Sequence, residues 1–123
     1  GTNSNVTEIE DGAFYSCSKL TSLDFPSKLT TIGKLAFSDC IAITSIHLPA
    51  KVAFVGEKAF AIMYAVTNIK CDAVQPPKLG RSVFERIGED HEGEKVKLIV
   101  PKNSKTAYSK VDQWKDFDIA EEQ

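Results

Sequence analysis

The sequence contains three successive copies of one segment, and the fixed period of this repeat constrains the fold more than any other feature. The segment "VTEIEDGAFYSCSKLTSLDFPSK" at 6–28 aligns with "LTTIGKLAFSDCIAITSIHLPAK" at 29–51 and with "VAFVGEKAFAIMYAVTNIKCDAV" at 52–74. The first two copies share nine identical positions, whereas the third keeps mainly the apolar ones. A unit of this length cannot cover its own apolar side, so successive copies must stack and bury a shared core. The period therefore predicts a solenoid.

Each copy combines two hydrophobic spacings. Near its start, Ala13, Phe14 and Cys17 have helical spacing, which predicts a short helical turn. Near its end, apolar residues alternate with polar ones, as at Leu23 and Phe25, which predicts a short strand with one buried face. The equivalent apolar residues in the next two copies are Ala36, Phe37, Cys40, Ile46, Leu48, Ala59, Phe60, Met63, Ile69 and Cys71. Every copy is thus expected to contribute one strand and one helical turn.

The remaining residues, 75–123, predict an incomplete fourth repeat and a cap. Phe84 follows Phe60 at close to one repeat length and is expected in the same core column, and "VKLIVP" predicts a further strand. The segment "NSKTAYSKVDQWKDF" has apolar residues at helical spacing after Asn103 or Ser104, which predicts an amphipathic capping helix. The chain is therefore expected to form a single domain over 1–123.

Three segments of the chain follow one motif. "IEDGAFYSCSKLTSLDFP" and "IGKLAFSDCIAITSIHLP" match it closely, and "VGEKAFAIMYAVTNIKCD" matches it with Met63 in place of the cysteine and Asp72 in place of the proline. This motif resembles that of the BspA-like leucine-rich repeat proteins of bacterial surfaces, "I-x-x-x-A-F-x-x-C-x-x-L-x-x-I-x-L-P". The resemblance covers residue 6 to about residue 74.

The resemblance implies both a fold and a location. The fold would be an α/β leucine-rich repeat solenoid, a right-handed superhelix with short parallel strands on the concave face and short helical turns on the convex face. The resemblance also implies that the protein is secreted or located at the cell surface, and that its function is adhesion.

The composition excludes several classes of function. The chain has 123 residues and a formal net charge of −2, and its acidic and basic residues are interspersed. It lacks the basic stripe of a nucleic-acid-binding protein, so no nucleic-acid partner is expected. No run of about 18 apolar residues occurs, so we expect no transmembrane helix. Phosphate-binding loops, nucleophile motifs and suitably spaced carboxylate pairs are also missing, so we predict no enzymatic activity and no cofactor.

The cysteines and histidines follow no metal-binding or catalytic pattern. Cys17 and Cys40 are equivalent core positions, and helical turns packed about 8–10 Å apart would keep them beyond disulfide reach, so buried free thiols are expected. His47 is predicted on the outward face of a strand without a partnered nucleophile. His91 lies in "EDHEGE", a charged loop that matches no calcium-binding loop. No metal site is expected.

The outward face of the strands is the candidate binding surface. Equivalent positions predict two rows of side chains across the sheet, and the candidate ligand-binding residues are Ser22, Asp24, Ser45, His47, Asn68, Lys70 and Lys97. Solenoids commonly bind partners on their concave face. This favours a non-catalytic extracellular binding or adhesion module whose ligand is a protein or another macromolecule such as the extracellular matrix. Two alternatives stay open: the rows only keep the face hydrated, or the chain is a structural spacer or capping fragment of a larger surface protein.

The first predicted strand, 20–25, has no preceding repeat beside it in this sequence. A free strand edge presents unpaired backbone groups that can pair with another chain. We therefore hypothesise self-association through 20–25, or pairing with further repeats upstream of the sequence.

Overall fold

The computed structural model describes residues 5–123, which form two parallel sheets along one core. The strands are β1 Glu8–Ile9, β2 Thr31–Ile32, β3 Ser45–Leu48, β4 Phe54–Val55, β5 Asn68–Cys71, β6 Lys78–Leu79, β7 Lys97–Val100 and β8 Asp118–Glu121. The narrow sheet has the order β1-β2-β4-β6, and the main sheet has the order β3-β5-β7-β8. All adjacent strands are parallel. The predicted parallel strands are therefore confirmed, but the sequence interpretation missed the narrow sheet.

The register of both sheets follows the sequence period. In the narrow sheet Ile9 pairs with Ile32, and in the main sheet Ser45 pairs with Asn68. The partners in each pair are equivalent positions of successive copies, so each copy lies directly beside the next one. The predicted stacking of successive copies is confirmed.

A column of phenylalanine rings connects the stacked coils. Phe14, Phe37, Phe60 and Phe84 follow one another with ring centroids 5.1, 5.7 and 6.0 Å apart and nearly parallel ring planes. Phe37 and Phe60 are buried, whereas Phe14 at the N-terminal end is 41% exposed. Aromatic contacts of this kind add to the free energy gained by burying the rings. The column is therefore a shared element of the core that holds neighbouring coils together.

The predicted helical turns have a different backbone conformation. The turn segments, as we name them, are residues 11–16, 34–39, 57–62 and 81–86. In the second of them Leu35 and Asp39 have φ angles of 59° and 66°, and the equivalent residues of the other segments are also left-handed. A left-handed residue at every fourth position excludes an α-helix. Every second amide instead donates to the next coil, as Phe37 N does to Ala59 O at 2.8 Å, so bonds between coils replace helical ones.

Glycine recurs where neighbouring coils approach each other most closely. A Cβ atom on Gly33 or Gly56 would lie 2.5 or 2.6 Å from a backbone nitrogen of the preceding coil, and Gly80 has the same kind of neighbour at 2.7 Å. Side chains of other residues do not fit at such distances, so this position requires glycine in the coils that have a preceding described coil, whereas the first copy has Glu10 there.

The first predicted strand, 20–25, belongs to neither sheet, because the main sheet begins with β3. Leu23 and Phe25 still pack partly against the core. The first coil has a described neighbour on one side only, so fewer buried side chains hold its backbone than in the second coil, where Ile46 and Leu48 are fully enclosed. Self-association through 20–25 stays a prediction. The strand on which this hypothesis was based is not formed in the structure.

The C-terminal segment covers the last coil, but not as the predicted long helix. The helix α1 spans only Lys105–Tyr108, a 3₁₀ helix covers Trp114–Asp116, and β8 then extends the main sheet. Between the two helices Gln113 has a φ angle of 73°. Its side chain accepts a hydrogen bond from Val83 N and donates one to Gly80 O, both at 2.8 Å. This bridge to the last coil holds Gln113 outside the helical region, so a helix cannot continue from α1 through Gln113.

Three aromatic residues close the C-terminal end of the core. Trp114 and Phe117 contact Phe84 with centroid distances of 5.1 and 5.0 Å, and Tyr108 packs against Trp114 at 5.3 Å. The Tyr108 hydroxyl donates to Ala73 O at 2.6 Å, which satisfies the polar end of this buried ring. The phenylalanine column is therefore covered at this end.

Candidate binding surface on the main sheet

The main sheet has one buried face and one exposed face. In β3, Ser45 and His47 are exposed while Ile46 and Leu48 are buried, and the later strands follow the same alternation. This is the expected result of a two-residue side-chain period on a half-buried strand. The outward side chains therefore stand on a backbone that is fixed by the core on its other side.

Strand register aligns the outward side chains into two rows, which we call the main-sheet rows. The first row contains Ser45, Asn68, Lys97 and Asp118, and the second contains His47, Lys70, Ile99 and Ala120. Adjacent parallel strands lie about 4.8 Å apart, so each row extends about 14 Å. The alignment predicted for the residues of β3, β5 and β7 is confirmed.

Asp118 and Ala120 join the rows although the sequence interpretation did not include them. They lie on β8, a strand that directly follows the segment predicted as the capping helix and that was not predicted. The signal for this strand was available, since buried Ile119 lies between exposed Asp118 and Ala120. This alternation favours a strand over a helix.

His47 is the centre of a polar contact at one side of the second row. Its Nε2 lies 2.7 Å from Asp72 Oδ2, and both side chains are partly exposed. Asp72 replaces the proline that ends the strand in the two preceding copies. The contact orients the imidazole ring, and no nucleophile accompanies it among the contacts of residues 5–123.

Lys70 forms an ion pair at the centre of the same row. Its Nζ lies 2.8 Å from Glu122 Oε1, and this hydrogen bond raises the pKa of the lysine. Both groups are well exposed, so the pair contributes little to stability. The ion pair holds the ammonium group beside a carboxylate, so this part of the surface carries both a positive and a negative charge.

Two of the predicted site residues lie away from the main-sheet rows. Ser22 and Asp24 belong to the unpaired segment of the first coil, so no strand register connects them to Ser45 and His47. They line a separate groove of about 530 Å³ at the N-terminal end, beside the exposed ring of Phe14. The structure therefore brings together five of the seven predicted residues: Ser45, His47, Asn68, Lys70 and Lys97.

The cysteines contribute to the core rather than to a surface site. Cys40 and Cys71 are buried, and Cys17 is partly buried. Cys40 Sγ donates to Phe14 O at 3.1 Å, and Cys71 Sγ accepts from the Tyr108 hydroxyl at 3.2 Å. Burial raises the pKa of both buried thiols, which disfavours the reactive thiolate form.

Neither a cluster of metal ligands nor a membrane span occurs in residues 5–123. No three His, Cys, Asp or Glu side chains in this range are grouped so that they could hold a metal ion. No helix in the same range is long and apolar enough to cross a bilayer.

The stacked parallel strands, paired at equivalent positions of successive copies, define a repeat protein with a solenoid core. The family model for the BspA type leucine rich repeat region, which contains six copies, matches residues 2–89. The chain belongs to this family.

A solved structure supports the same fold. The crystal structure of a leucine-rich repeat protein from Bacteroides ovatus superposes with a TM-score of 0.64 at 22% sequence identity. The match covers 95% of this chain and 28% of the other one, so the chain spans a little over a quarter of that protein's length. The search of curated proteins gave no match.

Proposed function

We propose that the chain is a non-catalytic module that binds a protein or another macromolecule at the cell surface, with the main-sheet rows as its binding face. The observation that carries this proposal is the register of four parallel strands, which holds outward side chains in fixed rows. Because the opposite face is buried, a partner meets a surface that needs little ordering on binding.

The chemistry of the rows fits a polar macromolecular ligand. They combine two lysines, an amide, a hydroxyl, an imidazole and a carboxylate, and Ile99 is the one large apolar side chain in these rows. Such a mixture supports many directional hydrogen bonds and little hydrophobic anchoring. Family membership supports protein binding and a surface-associated location, since BspA-type repeat proteins are typically surface-associated.

Direct binding measurements test the proposal. The purified chain would be titrated over immobilised extracellular matrix proteins and over intact bacterial cells, and the titration repeated with His47→Ala, Asn68→Ala and Lys70→Ala combined. If the rows bind, this triple variant weakens binding at least tenfold, because it removes three polar side chains from the centre of the contact.

A matched control separates loss of the face from loss of stability. Ser18→Ala, His91→Ala and Lys110→Ala combined removes three exposed polar side chains elsewhere, and binding should stay within about twofold of the unsubstituted chain. Equal binding by both triple variants would contradict the proposal and would favour the structural spacer or another face.

A further inference from the structure

The hydrogen bonds between turn segments run in one direction along the stack. In the first three segments every second amide donates to a carbonyl of the following segment, as Lys58 N does to Arg81 O at 3.0 Å and Phe60 N to Val83 O at 3.0 Å. The last segment has no following coil within the described chain. Its equivalent amides therefore form an unpaired edge.

We call this edge the terminal amide row. It consists of the backbone N–H groups of Ser82, Phe84 and Arg86, which occupy the positions of the donors in the three preceding segments. Among residues 5–123 no acceptor forms a hydrogen bond with any of these three amides. Gln113 bonds to the neighbouring amide of Val83 and leaves the row itself open. A row of free backbone donors is a template for pairing with another backbone segment.

A groove adjoins the terminal amide row, and we call it the terminal groove. It has a volume of about 410 Å³ and lies between the last turn segment and the C-terminal segment. Its apolar lining consists of Phe84, Ile87, Val96 and Phe117. Ser82 and Phe84 of the amide row are among its lining residues, so the row lies beside the apolar lining.

The charged side chains around the terminal groove are mainly acidic. Glu85, Glu94 and Asp116 line it together with one basic residue, Lys95. Free backbone amides could in principle bind an anion. Because three carboxylates and one ammonium group give the groove a net negative charge, the groove repels an anion and attracts a cationic ligand.

We propose that the terminal groove binds an extended basic segment of a partner protein. The carbonyl groups along one edge of that segment accept hydrogen bonds from the terminal amide row, in the way that a peptide adds to a sheet edge. Lysine or arginine side chains of the segment meet the three carboxylates, and intervening apolar side chains cover the groove lining. This site is separate from the main-sheet rows and does not depend on them.

Amide-detected NMR titration of the full chain tests the proposal. The probe is an acetylated and amidated heptapeptide that alternates lysine and leucine, and the comparison peptide replaces each lysine with glutamate. The lysine peptide should produce saturable shifts of the Ser82, Phe84 and Arg86 amide signals, and the glutamate peptide should not. Inorganic phosphate is titrated separately.

A charge-matched pair of variants tests the role of the carboxylates. Glu85→Gln, Glu94→Gln and Asp116→Asn combined should weaken binding of the lysine peptide by about tenfold, the sum expected for three exposed ion pairs. The control, Glu8→Gln, Glu10→Gln and Asp11→Asn combined, changes the net charge equally at the other end of the stack and should change the dissociation constant by less than about twofold.

Several results would overturn the proposal. They are the absence of saturable shifts with the lysine peptide, shifts confined to the main sheet, and equal weakening by both triple variants. Larger shifts of the amide row with phosphate than with the peptide would make it an anion site. Shifts that grow with protein concentration in the absence of peptide would make the groove a contact between copies of the chain.

Discussion

The phenylalanine column offers a direct comparison of an inner and an outer coil. Phe60→Ala removes a fully buried ring that contacts Phe37 at 5.7 Å and Phe84 at 6.0 Å. Phe14→Ala removes the same ring from the N-terminal end, where it contacts Phe37 alone in the column, at 5.1 Å, and is 41% exposed. The two substitutions are chemically identical, so the difference between them measures position in the stack.

The structure predicts about a twofold difference in cost. A buried Phe→Ala substitution costs about 4 kcal/mol because it loses burial and leaves a cavity. For Phe14 the retained burial contributes about 1.5 kcal/mol and its one stacked contact adds about 0.5 kcal/mol, without an enclosed cavity, which gives about 2 kcal/mol. Since domains of this size are stable by about 5–15 kcal/mol, both variants should still fold.

Urea denaturation measures both costs. Unfolding would be followed by far-ultraviolet circular dichroism and by the fluorescence of Trp114, because coincident transitions are needed for a two-state free energy. Repeat proteins can unfold coil by coil, and Phe14→Ala is the variant in which the dichroism transition would precede the fluorescence one. Equal free-energy costs for the two variants, or a larger cost for Phe14→Ala, would refute the idea that the rings form one column with an open N-terminal end.

Three further substitutions test the remaining contacts. Gln113→Ala leaves two backbone groups of the last turn segment without partners and should lower the free energy of unfolding by about 2 kcal/mol in urea titrations. Gly56→Ala places a methyl group 2.6 Å from Lys34 N, so it should prevent close stacking of the coils and lower the melting temperature by about 10 °C or more, or abolish folding. Tyr108→Phe removes the donor to Ala73 O and should cost about 1–2 kcal/mol at pH 7. Burial raises the pKa of Tyr108 above its usual value of about 10, so the neutral phenol stabilises the fold below pH 10 and this stabilisation is lost as the pH rises further. Melting temperatures of the unsubstituted chain should therefore fall more steeply above pH 10 than those of Tyr108→Phe.

The sequence predicted the stack because identical positions recur at a fixed period. Phe14 and Phe37 occupy the same position of successive copies, and stacking the copies brings these rings into contact. The same period is sufficient to place Ser45 beside Asn68 and His47 beside Lys70, as the strand register confirms. Repetition thus carries long-range information that a single copy does not.

The conformation of the turn segments was not predictable from local preference. Leu35 and Lys58 are left-handed, although neither residue type favours that region. Hydrogen bonds to the next coil stabilise this conformation, and they connect residues of different copies that are distant in sequence. The apolar pattern that includes Ala36 and Phe37 indicates only which side chains face the core. Several backbone conformations are compatible with that pattern.

The capping segment was mispredicted for a related reason. Its apolar residues have helical spacing, yet Gln113 bonds to the backbone of the last turn segment and takes a positive φ angle. Val111, one of these apolar residues, is 36% exposed. The contact that prevents one long helix through Gln113 joins this residue to Gly80 and Val83, which lie far from it in sequence, so no local pattern contained it.

The two ends of the stack differ in what they offer a partner. At the N-terminal end the ring of Phe14 is exposed beside a groove, so that end presents apolar surface. At the C-terminal end Trp114 and Phe117 cover the column, whereas the amides of Ser82, Phe84 and Arg86 have no acceptor among residues 5–123. A cap made of side chains can bury a core, but it cannot supply a continuous row of backbone carbonyls. Among residues 5–123 the cap supplies no backbone acceptor to the terminal amide row, and this is the basis for proposing that a partner's backbone pairs with it.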